Sequence, residues 1–300
     1  MQEFLQQLVN GVSWGSIYAL IALGYTMVYG VLQLINFAHG DVFMLGAFFG
    51  YYFSRWTKIA QEPTLIGFFA TLFFAMAACA LVGIIIERAA YKPLRARPRL
   101  TVLITAIGVS LLLENGGQLV FGADPKFFPS LIAESRLYES ENLIISNLPV
   151  LILIVSIALM LLLRFIVMKT QIGKAMRATA FNREAASLMG INTNNVISFT
   201  FLLGSALAGA GGILVALTYP KIDPLMGLLP GLKAFVAAVL GGIGNIPGAV
   251  LGGMILGVSE TMVAGYISST LRDAIAFALL VVILLVKPTG LLGSRVGEKV

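Results

Sequence analysis

Runs of about twenty apolar residues recur along the whole chain, and no other feature limits its fold so strongly. A helix rising 1.5 Å per residue needs about 20 such residues to cross the hydrocarbon of a bilayer. Nine runs qualify as candidates: 11–29, 31–53, 64–86, 100–121, 148–168, 196–219, 225–244, 248–266 and 271–286. They are too long and too uniformly apolar to alternate as barrel strands, and backbone groups in lipid must bond within their own segment. The expected fold is therefore all-α, a polytopic transmembrane helix bundle of about eight to nine spans with broken helices, forming one domain over 1–300. Composition agrees: 58% of the 300 residues are hydrophobic and 11% charged, whereas a soluble domain carries about 25% charged residues.

The formal net charge of +6 would suit nucleic acid only if the cations formed a patch, and they do not. Arg88, Lys92, Arg95, Arg97 and Arg99 fill one connection. Arg164, Lys169, Lys174, Arg177 and Arg183 fill or border a second, and Lys287, Arg295 and Lys299 mark the C-terminal tail. With nine spans all three clusters fall on one side of the membrane, which the positive-inside rule makes cytoplasmic. The N-terminus is then outside, as is the connection carrying Asp124, Glu134, Glu139 and Glu141. Lipid is the expected surrounding, with no nucleic-acid partner. Residues 1–54 hold no Lys or Arg, so the first apolar run lacks the basic flank of a cleaved signal and is expected to be retained. One cysteine, Cys79, and one histidine, His39, exclude a disulfide framework and a metal site built from several Cys or His ligands.

Two stretches read as interruptions. Leu34-Ile-Asn-Phe-Ala-His-Gly-Asp41 sets Asn36, His39 and Asp41 between apolar runs, and Gly241-Gly-Ile-Gly-Asn-Ile-Pro-Gly248 strings glycines and a proline between two spans. Irregular backbone at membrane depth persists only when buried in protein or lining a wet cavity; the alternative for each stretch is a short loop at the interface. Both lead into glycine-rich helices, but no fixed period aligns them as a repeat. Glycines four apart, such as Gly11 and Gly15 or Gly46 and Gly50, suit close helix packing in lipid.

The segment 173–191 is polar and falls on the cytoplasmic side. Within it Asn182 suits an N-cap, Glu184 faces the positive end of a helix dipole, and Gly190 suits the left-handed position after the last turn. They delimit a helix of about two turns whose apolar stripe is Ala185, Leu188 and Met189, with Lys174, Arg177 and Arg183 left wet. Such a helix can dock into a groove on another protein or lie on anionic lipid.

Here the sequence resembles a known family. Glu184-Ala-Ala-Ser-Leu-Met-Gly190 matches the E-A-A-x-x-x-G core of the loop by which permease subunits of ABC importers contact their ATPases. The usual hydrophobic-Pro ending is missing. The whole chain is similar to the LIV-type branched-chain amino-acid permease family, closest to its shorter permease subunit. The matching stretches are Gly15-Ser-Ile-Tyr-Ala-Leu-Ile-Ala-Leu-Gly24, Ile35-Asn-Phe-Ala-His-Gly40, Gly173-Lys-Ala-Met-Arg-Ala178, Gly231-Leu-Lys-Ala-Phe-Val-Ala-Ala-Val-Leu-Gly-Gly-Ile-Gly244 with Ile246-Pro-Gly248, and Lys287-Pro-Thr-Gly-Leu-Leu-Gly293. The resemblance implies a prokaryotic inner-membrane importer made of this subunit, a second homologous permease, two cytoplasmic ATPases and an extracytoplasmic amino-acid-binding protein. Asn182, Arg183, Glu184, Ala185, Leu188, Met189 and Gly190 would couple it to the ATPases. No G-x-x-x-x-G-K-[ST] occurs, so no phosphate-cradling loop exists here; ATP and Mg would belong to the partner ATPases, and the chain would be no enzyme.

Ionisable groups within spans cost several kcal/mol unless paired or hydrated. Asp41, Glu114, Lys233 and Glu260, with Asn36, His39 and Asn115, are the candidates for a substrate path. A zwitterionic amino acid needs an acceptor for its ammonium, which Asp41, Glu114 or Glu260 could provide. It also needs donors for its carboxylate, such as Lys233 or a helix N-terminus. The competing reading is structural: Lys233 can snorkel from its span, and a buried carboxylate can pair with a neighbouring helix. A urea or short-amide permease and a self-sufficient secondary transporter remain as alternatives, the latter having no use for an ATPase docking helix.

Overall fold

A computed structural model describes residues 2–95, 97–140 and 143–293; Glu141, Arg295 and Lys299 lie outside the described residues. Helices α1 (Gln2–Leu32), α2 (His39–Trp56) and α3 (Leu65–Ile86) come first. A π-helical turn (Glu87–Tyr91) then joins α3 to the short α4 (Lys92–Leu94). Next follow α5 (Arg99–Phe121), α6 (Asn147–Lys169), α7 (Gln171–Phe181), α8 (Arg183–Leu188) and α9 (Thr193–Thr218). The chain closes with α10 (Leu228–Gly241), α11 (Ile246–Tyr266) and α12 (Arg272–Val286). Among the described residues, seven helices are long and apolar enough to cross a membrane. Thr64, Thr170, Asn182, Asn192 and Asn245 each accept a backbone N–H from the first turn of the helix they precede, which fixes where α3, α7, α8, α9 and α11 begin.

The segments 31–53 and 225–244 are not the continuous helices their hydropathy suggests. α1 runs on to Leu32 and ends at Gln33, whose φ of 55° no helix interior adopts. The chain then climbs back into the bundle without helix and restarts at His39, whose ring lies against Gly24 of α1. In the second case the chain descends from the end of α9 through 219–227, and α10 covers only 14 residues. Pro230 sits in the first turn of α10, where its missing N–H interrupts no helical bond. In each case a helix starts inside the bundle after a short non-helical stretch, 33–38 before α2 and 219–227 before α10.

The first interruption is deep in the protein, with Asn36, His39 and Asp41 all buried. The second is a short turn on the basic face, the face that carries α7 and α8. There the C-terminal segment answers the last carbonyls of α10: Leu291 and Leu292 N–H donate to Leu240 and Gly241 at 2.9 Å each. Lys287 Nζ and Asn245 Nδ2 donate to the Leu291 and Leu292 carbonyls at 2.7 Å each. The Lys287-Pro-Thr-Gly-Leu-Leu-Gly293 and Gly241–Gly248 motifs are two sides of one joint.

α1 and α9 are buried on nearly every side and cross with Gly24 against Gly204. Around them the packing repeats upside down. α1 lies against α11 as α9 lies against α3, α2 rests on α9 and α3 as α10 rests on α1 and α11, and α5 touches α2 as α12 touches α10. α2 and α10, running in opposite directions, meet at their starts, where Gly40 abuts Gly227 and Gly231. The repeat is one of packing, which is why no sequence period reveals it. On the face opposite α8, β1 (Lys126–Phe127) pairs antiparallel with β4 (Lys221–Ile222), and β2 (Arg136–Ser140) with β3 (Leu143–Ser146).

Candidate functional site

Among the described residues, the buried ionisable side chains gather at three levels, stacked from the basic face to the opposite one. On the basic face, α8 is a six-residue helix closed at both ends as the sequence suggests. Asn182 Oδ1 accepts the Ala185 N–H at 2.9 Å, and Gly190 adopts φ 82°. Ala186 turns inward and is buried, while Ala185, Leu188 and Met189 face away from the chain, Leu188 being 89% exposed. A cleft of about 840 Å³ beside it is lined by Lys92, Arg95, Arg183, Glu184 and Asn194, among others.

Behind α8 lies an anchor that sequence reading missed. Glu87, fully buried in the π-helical turn, is ion-paired with Arg95 and accepts the Ser198 hydroxyl at 2.6 Å. Arg95 also donates to Asn194 Oδ1 at 3.2 Å. Burial, with the charge of Arg183 added, pushes the Arg95 guanidinium down to about 10, which leaves it charged at neutral pH. The same turn reaches the broken segment, because the Tyr91 hydroxyl donates to Asn36 Oδ1 at 2.8 Å. One bonded chain thus runs from the start of α9, next to α8, to the interruption before α2.

At mid-depth, His39 Nε2 donates to the Ile21 carbonyl at 3.1 Å, and its ring lies edge-on to Tyr25 with centroids 4.6 Å apart. Through these contacts the histidine ties α2 to α1. Asp41 accepts the Ser110 hydroxyl, and Glu114, one turn further along the same α5 helix as Ser110, is buried near it, so two of the candidate carboxylates lie in one buried region. Asn115 does not join them: it is exposed, and its side chain folds back on the Leu111 carbonyl of its own helix at 2.7 Å.

Toward the opposite face, Lys233 does not snorkel. Its Nζ is buried between Glu260 Oε1 at 2.9 Å and Asp273 Oδ1 at 2.6 Å. Glu260, inaccessible to solvent, also accepts the Tyr18 hydroxyl at 2.9 Å and Arg272 Nε at 3.4 Å. The Arg272 guanidinium lies 5.0 Å from the Trp14 ring centroid. Lys233 and Glu260, foreseen separately, are therefore partners. Tyr18, Arg272 and Asp273 were not foreseen; the only signal was an Arg-Asp pair opening the last apolar helix.

Residues 7–284 match the family described as branched-chain amino acid transport system / permease component. The high-affinity branched-chain amino acid transport system permease protein LivH of Salmonella typhimurium is 44% identical, with 99% of this chain and 98% of that protein covered. LivH of Escherichia coli K12 is 43% identical with the same coverage. BraD of Pseudomonas aeruginosa, described in the same words, is 41% identical, again over 99% and 98%. With the match running nearly end to end, through the broken segment, α8 and the buried charge cluster alike, the chain belongs to the branched-chain amino acid transport system permease family.

Proposed function

We propose that this chain is one transmembrane permease subunit of an ATP-binding-cassette importer. It passes leucine, isoleucine and valine toward the face that carries α8. Its relatives are permease components, so it is a transport component and not itself an enzyme. In this reading a second homologous permease completes the pathway. Two ATPases holding ATP and Mg sit on the basic, cytoplasmic face, and an extracytoplasmic amino-acid-binding protein delivers cargo to the other.

The observation that carries the proposal is the construction of α8. A short helix capped at both ends, anchored by Ala186 and presenting Leu188 and Met189 outward, has the form of a rigid plug for a groove. Its position beside Asn194 and Ser198 ties it to Glu87, Tyr91 and Asn36. Closure of the ATPase pair would push on α9 and the π-helical turn, and through Asn36 on the non-helical segment before α2. The packing of α2 and α10 start to start gives alternating access two half-helices to move against the α1–α9 core. The Asp41–Glu114 site at mid-depth is the reading's acceptor for a passing ammonium group.

The test is Leu188→Asp in the assembled complex, with leucine uptake read in intact cells and the complex then purified from them. A charge on an exposed side chain leaves the fold intact but must be desolvated on docking. ATP-driven leucine uptake and ATPase co-purification should both fall at least about tenfold, the scale of one uncompensated buried charge. Unchanged uptake would refute the docking role of α8.

A further inference from the structure

On the face opposite α8, a cavity of about 380 Å³ opens between α1, the 219–227 connection, α10 and α12. Its wall has three chemically distinct parts: Met226 and Leu229 are apolar, Lys233 and Arg272 are cationic, and Asp223 and Asp273 are anionic. We propose that this cavity receives a zwitterionic aliphatic amino acid, and that Asp273 is a placeholder for the ligand's carboxylate, displaced from Lys233 when the ligand enters. The inference rests on the proposed cargo and adds where that cargo first binds this chain and what opens the site.

The two anions on Lys233 differ in freedom. Glu260 is inaccessible to solvent and held from three sides, by Lys233, Arg272 and the Tyr18 hydroxyl, so it cannot leave. Asp273 is bonded to Lys233 at 2.6 Å, yet its side chain is 54% exposed and can turn into water at little cost. Without Asp273 the cluster of Lys233, Arg272 and Glu260 carries one net positive charge with almost no water around Lys233. A buried charge left uncompensated is expensive, so the cluster demands a carboxylate. Asp273 supplies it when the cavity is empty, and a ligand carboxylate supplies it when the cavity is filled. The ligand's ammonium then faces Asp223, whose carboxylate is held toward the cavity by the Leu225 N–H at 3.0 Å. Its aliphatic chain lies on Met226 and Leu229. A bare amine cannot release the placeholder, so the site selects zwitterions. The latched population also lowers apparent affinity by its own fraction, which suits a site that must pass its load onward.

Leucine binding to the assembled importer in nanodiscs, without binding protein, tests this. A half-exposed ion pair is worth up to about 1 kcal/mol, so Asp273→Asn should tighten leucine binding about fivefold. Binding of 3-methylbutylamine, which lacks the carboxylate, should not change. Asp223→Asn should weaken both ligands, and Lys233→Met, which leaves Glu260 paired with Arg272, should abolish leucine binding. Unchanged or weaker leucine binding by Asp273→Asn overturns the inference, as does leucine binding to neither protein at millimolar concentration. ATP-driven leucine uptake by the unaltered complex, measured alongside, separates the two readings. If uptake is present while Asp273→Asn has no effect, only the placeholder falls; if uptake is absent, the proposed cargo falls.

Discussion

At the scale of single residues the bundle is held together by the absence of side chains. Between helices surrounded by lipid there is little hydrophobic drive, so attraction depends on close backbone approach. Gly46 shows the demand most directly. A Cβ built there would lie 2.5 Å from Gly209 Cα and 2.7 Å from the Gly209 carbonyl oxygen, and neither backbone atom can move aside without shifting α2 or α9. Gly46→Ala should therefore destabilise the chain by about 1–3 kcal/mol, the usual cost of overpacking. It should also lower the thermal unfolding midpoint of the detergent-purified protein. Gly108, with nothing of this chain within 4 Å of its Cβ position, is the contrast: Gly108→Ala should leave the midpoint unchanged or raise it, since alanine is the better helix former. An equal change in both variants would mean that the close approach at Gly46 does not set its tolerance.

Elements divide into those that carry their own punctuation and those that depend on distant partners. The ends of α8 were legible because an Asn cap and a left-handed Gly act within four residues of the turns they close. Losing the cap should cost about 1 kcal/mol of local helix stability. We therefore expect Asn182→Ala to reduce ATP-driven uptake several-fold while the complex still assembles, and Asn182→Asp to restore it. Equal uptake by all three proteins would show that α8 does not need to be preformed. The half-helical crossings were only partly legible. Asn36 and His39 marked the first by placing polar groups in an apolar run. The last residues before α10, Leu225-Met-Gly227, continue its apolar run although they form a turn, and hydropathy does not distinguish the two conformations. The role of Glu87 was not legible, and for Arg272 and Asp273 the sequence showed only a charged pair opening an apolar helix. Glu87 meets Ser198, 111 positions away, and Tyr18 meets Glu260 across 242, and no local pattern encodes such a meeting.

For the whole molecule, the inverted packing and the charge asymmetry make one joint statement about direction. α1, α3 and α6 run toward the face bearing α7 and α8; α5, α9 and α11 run away from it. The short β1–β4 pair joins the loop after α5 to the loop after α9 on the other face. Arg177, Arg183, Lys174 and Lys287 share the first face, so the proposed function, through the positive-inside rule, puts that face in the cytoplasm and the β2–β3 hairpin outside. An odd number of crossings is required, and the two half-helical segments must each count as one. If either turned back instead of crossing, everything beyond it would change sides. The chain's only cysteine, Cys79, is fully buried, so introduced thiols can be read without removing it. A membrane-impermeant maleimide should label Tyr138→Cys in intact cells and Ser187→Cys only in inside-out vesicles, both positions being solvent-exposed. Labelling of Ser187→Cys from outside would invert the molecule and remove α8 from reach of any ATPase. Labelling of both from one side would mean that the number of crossings between the hairpin and α8 is even, contrary to the single passage of α6 that separates them here.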